Sequence, residues 1–219
     1  MTQTLYVFDM DDTLINGDCS MIWNEYLVNQ DIVTDPGFLE RDRALMALYS
    51  EGKMSMEAYL SATLQPLQSV SLEQLSLWVE ACVTEQILPR VYPEAQALIE
   101  TLKQQKSRML VISASAHFLI EPVARALGIP EALGINLKED AGRITSQIEG
   151  IASYREGKVK RLEQWLAQQG IDRQQLEIHF YTDSINDLPL CLYADHAHLI
   201  NPCPLLIQAA DHRWHHYHW

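Results

Sequence analysis

The sequence predicts an α/β fold: a parallel-sheet core with an α-helical cap inserted after its first strand. Three observations support this class. A short apolar run at residues 5–8 ends in acids, which is typical of a buried strand. The stretch from about residue 17 to residue 89 shows helical patterns throughout. From residue 90 onward, short apolar runs alternate with helical patterns, and such alternation indicates a parallel sheet with helices on both faces.

The helical stretch contains three recognisable helix starts. Ser71 is a suitable N-cap for a helix whose apolar residues recur three and four positions apart. The pair Asp35-Pro36 is typical of a second start, and Ser55 followed by Glu57 of a third. This part of the chain is therefore predicted to be a bundle of several short helices.

In the remainder of the chain the predicted helices have clear boundaries. Pro93 suits the first turn of one helix, Gly128 ends a helix over residues 117–127, and Gly170 ends one over residues 157–169. The predicted strands of this part include residues 109–112, 135, 144, 178–181 and 198–200. Strand and helix thus alternate as a parallel sheet requires.

These elements divide the chain into two predicted domains. Residues 1–16 and 90–219 form the α/β core, and residues 17–89 form the helical cap. An insert after the first strand lies over the carboxyl ends of the strands, where open α/β sheets bind ligands. We therefore expect the cap to cover the functional site.

The composition excludes several classes of protein. The chain has 219 residues, with 16 Lys and Arg against 29 Asp and Glu, so its net charge is −13. A hydrophobic fraction of 47% is enough for a globular core. A chain of this charge without a basic run is a poor partner for nucleic acids or anionic membranes. The N-terminus lacks the basic segment of a signal peptide, and no apolar run approaches the roughly 18 residues of a spanning helix.

Neither the cysteines nor the histidines form a recognised metal or disulfide motif. The four cysteines are widely spaced without a C-x-x-C pair, which favours reduced thiols and a cytoplasmic location. They are Cys19, Cys82, Cys191 and Cys203. The histidine-rich end, residues 212–219, is expected to form a final edge strand with aromatic packing rather than a metal site.

Polar residues stand at the ends of the predicted strands and at the start of one helix. These are Asp9, Asp11, Asp12, Thr13, Ser113, Ser115, Lys158, Asp183, Ser184 and Asp187. Carboxylates that meet at one sheet edge repel one another unless a cation joins them, and hard oxygen ligands suit Mg²⁺. The hydroxyls, the lysine and helix-terminal N–H groups can bind an anion beside the metal. Such a site is typical of phosphoryl transfer through an aspartyl-phosphate.

The same segments resemble the four motifs of the haloacid-dehalogenase-like (HAD) hydrolases. The first motif is matched by Val-Phe-Asp-Met-Asp-Asp-Thr-Leu at residues 7–14, and the second by Leu-Val-Ile-Ser at residues 110–113. Lys158 and Asp-Ser-Ile-Asn-Asp at residues 183–187 resemble the third and fourth motifs, in the family's order. The helical cap, the Asp-Ser-x-Asn-Asp-Leu-Pro sequence and the segment 149–158 are similar to the phosphoserine-phosphatase-like branch, subfamily IB. The resemblance covers essentially the whole chain and implies a HAD-like Rossmannoid core.

The resemblance also implies a role for each acid. Asp9 is the expected nucleophile, and Asp11 is expected to protonate the leaving alcohol and then to deprotonate the attacking water. Mg²⁺ is expected to bind Asp9, the backbone carbonyl of Asp11 and Asp183. Asp187 is a further ligand or an acid that supports the ligands.

The phosphoryl oxygens are assigned by the resemblance to Ser113, Ala114 and Lys158. Asp12 departs from the glycine that is common at its position in the family, and we expect the local turn to tolerate it. Two other polar residues of the motifs are expected to shape turns, namely Ser115 and Ser184.

The predicted cap is the acidic part of the chain. It carries three basic and eleven acidic residues, a net charge of −8. Asp18 lies nine residues after Asp9, where phosphoserine phosphatases carry an acid that recognises the substrate amine. We therefore predict a small phosphomonoester whose leaving alcohol bears an amine, such as an amino alcohol phosphate, histidinol phosphate or phosphoserine. Alternatively, most cap acids are solvated helix faces, and Arg41 with Arg43 pairs a substrate carboxylate.

Four other functions fit parts of the pattern. A signalling receiver module is far shorter and lacks the cap, and a true dehalogenase needs no second acid such as Asp11. A lipid-phosphate phosphatase of the same branch and a phosphotransferase remain alternatives. The lipid-phosphate phosphatase requires an apolar or basic docking surface that the sequence does not show.

Overall fold

A central sheet organises the computed structural model, which describes residues 3–50, 53 and 55–219, with the side chains of residues 49 and 50 left out. Glu51, one of the cap acids counted above, lies outside this description. The strands are β1 Gln3–Phe8, β2 Arg108–Ala116, β3 Glu131–Ile135, β4 Leu137–Asp140, β5 Arg143–Ile148, β6 Leu176–Thr182, β7 His196–Ile200 and β8 His215–Tyr217. Six of them pair in parallel in the order β3–β2–β1–β6–β7–β8, which confirms the predicted fold class.

Nine α-helices connect these strands within the described residues. They are α1 Cys19–Asn29, α2 Phe38–Ser50, α3 Met56–Leu64, α4 Leu72–Cys82, α5 Pro93–Gln104, α6 His117–Leu127, α7 Glu156–Gln168, α8 Leu188–Tyr193 and α9 Pro204–Ala209. The first four lie between β1 and β2, where the sequence predicts the helical insert. None of the helices in the described ranges is long and apolar enough to cross a membrane.

Most of the predicted helix ends are found where the sequence places them. Ser71 caps α4 by accepting a hydrogen bond from Gln74 N at 3.2 Å, and Ser55 caps α3 in the same way. Gly128 ends α6 with a φ of 79°, in the left-handed region that favours glycine. The predicted start at Asp35 is wrong by about two residues. Because the Asp35 side chain accepts the N–H of Gly37, it forms a turn and α2 begins only at Phe38.

Two segments differ from the predicted parallel alternation. Ile135 ends β3 rather than standing at the centre of a strand. The strand around Ile144 is β5, which pairs antiparallel with β4 as a separate hairpin. The histidine-rich end forms the edge strand β8, as predicted, and the ring of His215 stacks on that of His198.

Alternate residues of the strands pack into two separate cores. Leu5 and Val7 face α7, α8 and α9, whereas Phe8 faces α5, α6 and the insert. This period of two is the geometry of a sheet buried on both faces. The insert leaves and rejoins the core at one place, since Asn16 N donates to Arg90 O at 2.7 Å and Tyr92 N to Leu14 O at 3.0 Å.

Candidate active site

The carboxyl ends of three adjacent strands carry the predicted acids and hydroxyls. Asp9 and Asp11 follow β1, Ser113 lies near the end of β2, and Asp183 follows β6. Since β1 lies between β2 and β6, these groups share one edge of the sheet. Asp9 continues the backbone pairing of β1 with β6, because its N–H donates to Tyr181 O at 2.9 Å. The sheet topology alone therefore brings three of the four motifs together.

Lys158 is the centre of the site. Its Nζ lies 2.8 Å from Asp9 Oδ1 and 2.7 Å from Asp187 Oδ1, although these acids are far apart in the sequence. The lysine and Asp187 side chains are each 1% exposed, and that of Asp9 is 7% exposed. Thr182 Oγ1 donates to the other Asp187 oxygen at 2.7 Å. Lys158 is thus a buried cation shared by two motifs, not a surface lysine.

The loop before α7 fixes the position of Lys158. A Cβ on Gly157 would lie 1.9 Å from the carbonyl oxygen of Ala152, so only glycine fits this close approach of two backbone segments. Ser153 Oγ donates to Ser113 O at 2.6 Å and ties the loop to β2. The start of α7 is therefore held against the strand that carries Ser113.

Asp11 accepts hydrogen bonds from strand β2 and from the start of helix α1. Its Oδ2 receives Ser113 Oγ at 3.1 Å and Ser115 Oγ at 2.8 Å, and its Oδ1 receives Cys19 N at 2.7 Å. The two serines are two residues apart on β2, so the strand period directs both to the same side. Ser115, which the sequence analysis assigns to a turn, therefore contacts the acid expected to transfer protons.

The protonation of the cluster reflects burial and crowding. Burial raises the pKa of Asp9 to about 8 against the opposing effect of the Lys158 ammonium, and the Asp187 and Asp11 carboxylates add to the rise. Burial, with Asp9 and other acids nearby, also raises the pKa of Asp183 well above its usual value. Burial alone would lower the pKa of Lys158, but the Asp187 and Asp9 carboxylates raise it above the usual value. One lysine therefore does not stabilise all of these carboxyl groups in their charged form.

The donor set at this edge fits a hard divalent cation. Asp9 and Asp183 offer carboxylate oxygens on neighbouring strands, and Mg²⁺ is usually held by one or two carboxylates with water and substrate oxygens. Thr13 Oγ1 donates to Asp183 Oδ1 at 3.3 Å and restrains that carboxylate. Asp12 has a φ of 52°, the left-handed conformation that glycine adopts readily, and its N–H donates to Gly17 O at 3.1 Å. This backbone explains why glycine suits the position and shows that aspartate is accommodated.

Asp18 lies on the cap side of Asp11. The two acids line one small cavity of about 20 Å³ together with Ser20, Met46, Met56, Tyr59, Ala114 and Ser115. Asp18 caps α1 by accepting Met21 N at 2.8 Å, and it is only partly exposed. Burial, followed by the effect of Asp11, raises the pKa of Asp18 well above its usual value. Asp18 of the insert, and Ala114 directly after the second motif, therefore line the same cavity as Asp11, the acid expected to transfer protons.

The other predicted specificity residues lie elsewhere. Arg41 and Arg43 are both on exposed positions of α2, and Arg41 is ion-paired with Asp35. Most of the acids in the insert that the structure describes are also exposed. Asp42 is buried and accepts a hydrogen bond from Asn24 Nδ2 at 3.0 Å. Asp18, in contrast, lines a cavity together with Asp11.

The sequence analysis assigns no role to Thr182 or Tyr154, although both contact residues of the fourth motif. Thr182 directly precedes that motif and donates to Asp187, and a hydroxyl at this position is the signal that could have identified it. Ser184 shapes the turn after β6, as predicted, since its Oγ accepts Asn186 N at 3.3 Å. Tyr154 Oη donates to Asn186 Oδ1 at 3.4 Å and links this turn to the loop before α7.

Comparisons with known proteins agree with this fold. The family model described as haloacid dehalogenase-like hydrolase matches residues 6–191. A histidinol-phosphatase of Neisseria meningitidis serogroup C is 33% identical over 202 residues, which are 91% of each chain. A structure of a protein of unknown function from Bordetella pertussis Tohama I has a TM-score of 0.90 at 31% identity, covering 99% of this chain and 98% of that one. A substrate-bound phosphoserine phosphatase has the same fold, with a TM-score of 0.70 at 20% identity and coverage of 96% and 92%.

Proposed function

The chain belongs to the haloacid dehalogenase-like hydrolase family, and from this premise we propose that it is a phosphatase acting on a small phosphomonoester through an aspartyl-phosphate on Asp9. The observation that carries the proposal is that Asp9 and Asp187 both form ion pairs with the buried Nζ of Lys158. These three residues come from three separate motifs. The two acids hold the Lys158 ammonium beside the proposed nucleophile Asp9, where it can bind an oxygen of the phosphoryl group.

The proposed first step is an in-line attack on phosphorus. An Asp9 carboxylate oxygen forms the new bond to phosphorus while the bond from phosphorus to the substrate alcohol breaks. Asp11 donates its proton to the departing alcohol oxygen. Ser113 Oγ, which now donates to Asp11, turns to a non-bridging phosphoryl oxygen together with Lys158 Nζ.

The proposed second step releases phosphate. Water attacks phosphorus, its proton passes to the Asp11 carboxylate, and the bond between phosphorus and Asp9 breaks to restore the starting enzyme. Mg²⁺, held by Asp9, Asp183 and the Asp11 carbonyl with Asp187 in support, supplies charge neutralisation of the phosphoryl group when bound. The raised pKa of Asp9 supports this cation, because it shows that Lys158 alone does not stabilise the charged form of this carboxyl, and a bound cation would.

The proposed domains follow from the same reasoning. Residues 1–16 and 90–219 are the core and residues 17–89 the cap that closes over the strand ends. The hydrogen bonds that join Asn16 to Arg90 and Leu14 to Tyr92 support boundaries at these positions. The four free cysteines support the cytoplasm as the setting of the enzyme.

Activity and covalent trapping test the reaction itself. Asp9→Asn should abolish phosphate release and the acid-stable phosphoenzyme that rapid quenching captures from the wild type. Asp12→Asn is the matched control, because Asp12 is an exposed neighbour and asparagine tolerates its left-handed backbone. Asp183→Asn should mainly raise the Mg²⁺ concentration needed for half-maximal activity. Near-wild-type turnover in Asp9→Asn would refute the assignment.

We further propose that the leaving alcohol bears an ammonium group that Asp18 recognises, with histidinol phosphate as the first candidate and other amino alcohol phosphates and phosphoserine next. The partly buried Asp18 beside Asp11 supports this, as does the 33% identity to a histidinol-phosphatase. Exposed acids elsewhere on the cap are solvated and contribute little. Arg41 and Arg43 remain weaker candidates for a substrate carboxylate.

A substrate panel with one matched variant pair tests this preference. Asp18→Asn keeps the helix cap but removes the charge, and it should lower kcat/KM for amine-bearing esters about tenfold or more relative to neutral sugar phosphates. Asp31→Asn, at an exposed position of the insert whose left-handed backbone asparagine tolerates, should leave the ratio unchanged. A wild-type preference for sugar phosphates, or an unchanged ratio in Asp18→Asn, would overturn the proposed selectivity. Stable phosphorylation of an added alcohol instead of water would favour a phosphotransferase.

A further inference from the structure

Rings of aromatic and histidine side chains cover the sheet face formed by β1, β6, β7 and β8. Two rows cross the paired strands. The rows are Tyr6, His179 and His196, and Phe8, Tyr181, His198 and His215. Neighbouring ring centroids within the rows are 4.3 to 5.3 Å apart. We call these two rows the ring ladder. The proposed phosphatase reaction uses none of its histidines.

Three ligand-type side chains converge at one end of this ladder. Glu177 and His179 lie on β6 and His196 lies on β7, and one ligand atom from each falls within 4.8 Å of the other two. Within the described part of the chain, this is the one set of three or more His, Cys, Asp or Glu residues with that property. His196 Nε2 is 2.8 Å from Glu177 Oε1, and these two side chains are 41% and 44% exposed. The cluster is therefore open to ions from solvent.

A chain of hydrogen bonds orients the third member, His179. Its Nδ1 lies 2.9 Å from His198 Nε2, and His198 Nδ1 lies 3.3 Å from Tyr217 Oη. When His179 Nδ1–H donates to His198 and His198 Nδ1–H donates to Tyr217, His179 Nε2 keeps its lone pair. Metal-binding histidines commonly make such a second hydrogen bond, which fixes the tautomer.

We propose that Glu177, His179 and His196 form a second metal site, for a divalent transition metal such as Zn²⁺, with water completing the coordination. Two imidazoles and a carboxylate are an established zinc ligand set, and imidazole ligands select against Mg²⁺. The His179 and His196 rings are stacked. Because His198 holds the His179 ring, the ring of His196, whose side chain is 41% exposed, is the one that turns to direct its nitrogen at the ion.

The proposed site is separate from the aspartate cluster. His179 lies four positions before Asp183, which directly follows β6, and four positions span about 13 Å in an extended strand. Because its ligands lie on β6 and β7, the ion would join two strands close to the sheet edge formed by β8. Its expected effect is on stability rather than on the chemistry at Asp9.

Calorimetric titration with Zn²⁺ of chelator-treated protein tests the site, with saturating Mg²⁺ present to occupy the aspartates. We expect one equivalent of Zn²⁺ per chain in the wild type and at least tenfold weaker binding in His196→Ala and in Glu177→Gln. His216→Ala is the matched control, because His216 is an exposed histidine paired with Leu199 rather than a member of the ladder. A hundredfold excess of Zn²⁺ over its Kd should raise the Tm of the wild type by about 5–10 °C.

Three results would overturn the proposal. The first is no stoichiometric Zn²⁺ binding in the wild type, and the second is unchanged binding in both His196→Ala and Glu177→Gln. The third is an equal loss in His216→Ala, which would assign the binding to the histidine-rich end of the chain. Circular dichroism of each variant shows whether it folds, and Glu177→Gln, which keeps the size of the side chain, serves where His196→Ala does not. Visible absorption of Co²⁺ then reports whether the coordination is tetrahedral.

Discussion

Replacing Lys158 by methionine should destabilise the protein far more than an equal change two residues away. The side chain is 1% exposed, and its Nζ lies within 2.8 Å of both Asp9 and Asp187. Methionine fills a similar volume but leaves two buried carboxylates without their cation. Removing one partner of a buried ion pair costs about 3–5 kcal/mol in the free energy of unfolding. For a chain of this length each kcal/mol corresponds to about 2–4 °C, so the Tm should fall by about 6–20 °C.

Differential scanning calorimetry without added metal measures this effect, with Lys160→Met as the control. Lys160 lies on the same helix but is exposed, so its replacement should change the Tm by no more than about 2 °C. Adding Mg²⁺ should restore part of the stability of Lys158→Met, because a bound cation supplies the missing charge. If the two variants melted within 2 °C of each other, the buried ion pairs would contribute nothing measurable and the reasoning would be refuted.

Three further predictions concern neighbours of the site. Gly157→Ala should lower kcat and the Tm together, since its Cβ forces apart two backbone segments that position the start of α7; a variant with wild-type kcat would contradict this, and steady-state kinetics with calorimetry decides it. Thr182→Val should cost about 1–3 kcal/mol by leaving an oxygen of buried Asp187 without its hydroxyl donor, measured by urea unfolding with Thr101→Val, at an exposed helical position, as the control. Burial lowers the pKa of His117, so the unfolded chain binds more protons than the folded one and stability is lost as the pH falls below about 6.5. His117→Leu should therefore flatten this part of the curve of Tm against pH. An unchanged slope would show that His117 does not contribute to the loss of stability at low pH.

The fold was predictable wherever the capping residues and the spacing of apolar residues indicated the same helix or strand. The N-caps at Ser55 and Ser71 and the glycine end at Gly128 are local signals that tertiary packing does not override. The β4–β5 hairpin was not predicted as antiparallel, because its apolar residues look like those of any short strand. Its distinguishing signal is the turn pair Ala141-Gly142, both at positive φ, as a tight hairpin turn requires.

The candidate site was predictable in membership but not in contacts. Parallel strands end at one edge, so the motifs at Asp9 and Asp183 had to meet once the sheet was inferred. That Ser115 contacts Asp11 depends on β2 continuing to Ala116, beyond the apolar run that ends at Ile112. No local pattern marks that extension, because polar residues at a strand end resemble the beginning of a loop.

The net charge of −13 says little about which ion the site accepts, because distance and burial weight each charge differently. Exposed acids of the insert act through water and salt, which screen charges beyond about 8–10 Å. Lys158 is buried within 2.8 Å of two carboxylates, where screening is weak, so these three charges outweigh the exposed acids in the potential at the candidate site. By the same argument, the proposed selection of a cationic leaving group would depend on partly buried Asp18 and not on the total charge of the insert. Neutralising exposed acids should therefore leave substrate preference intact, whereas neutralising Asp18 alone should change it.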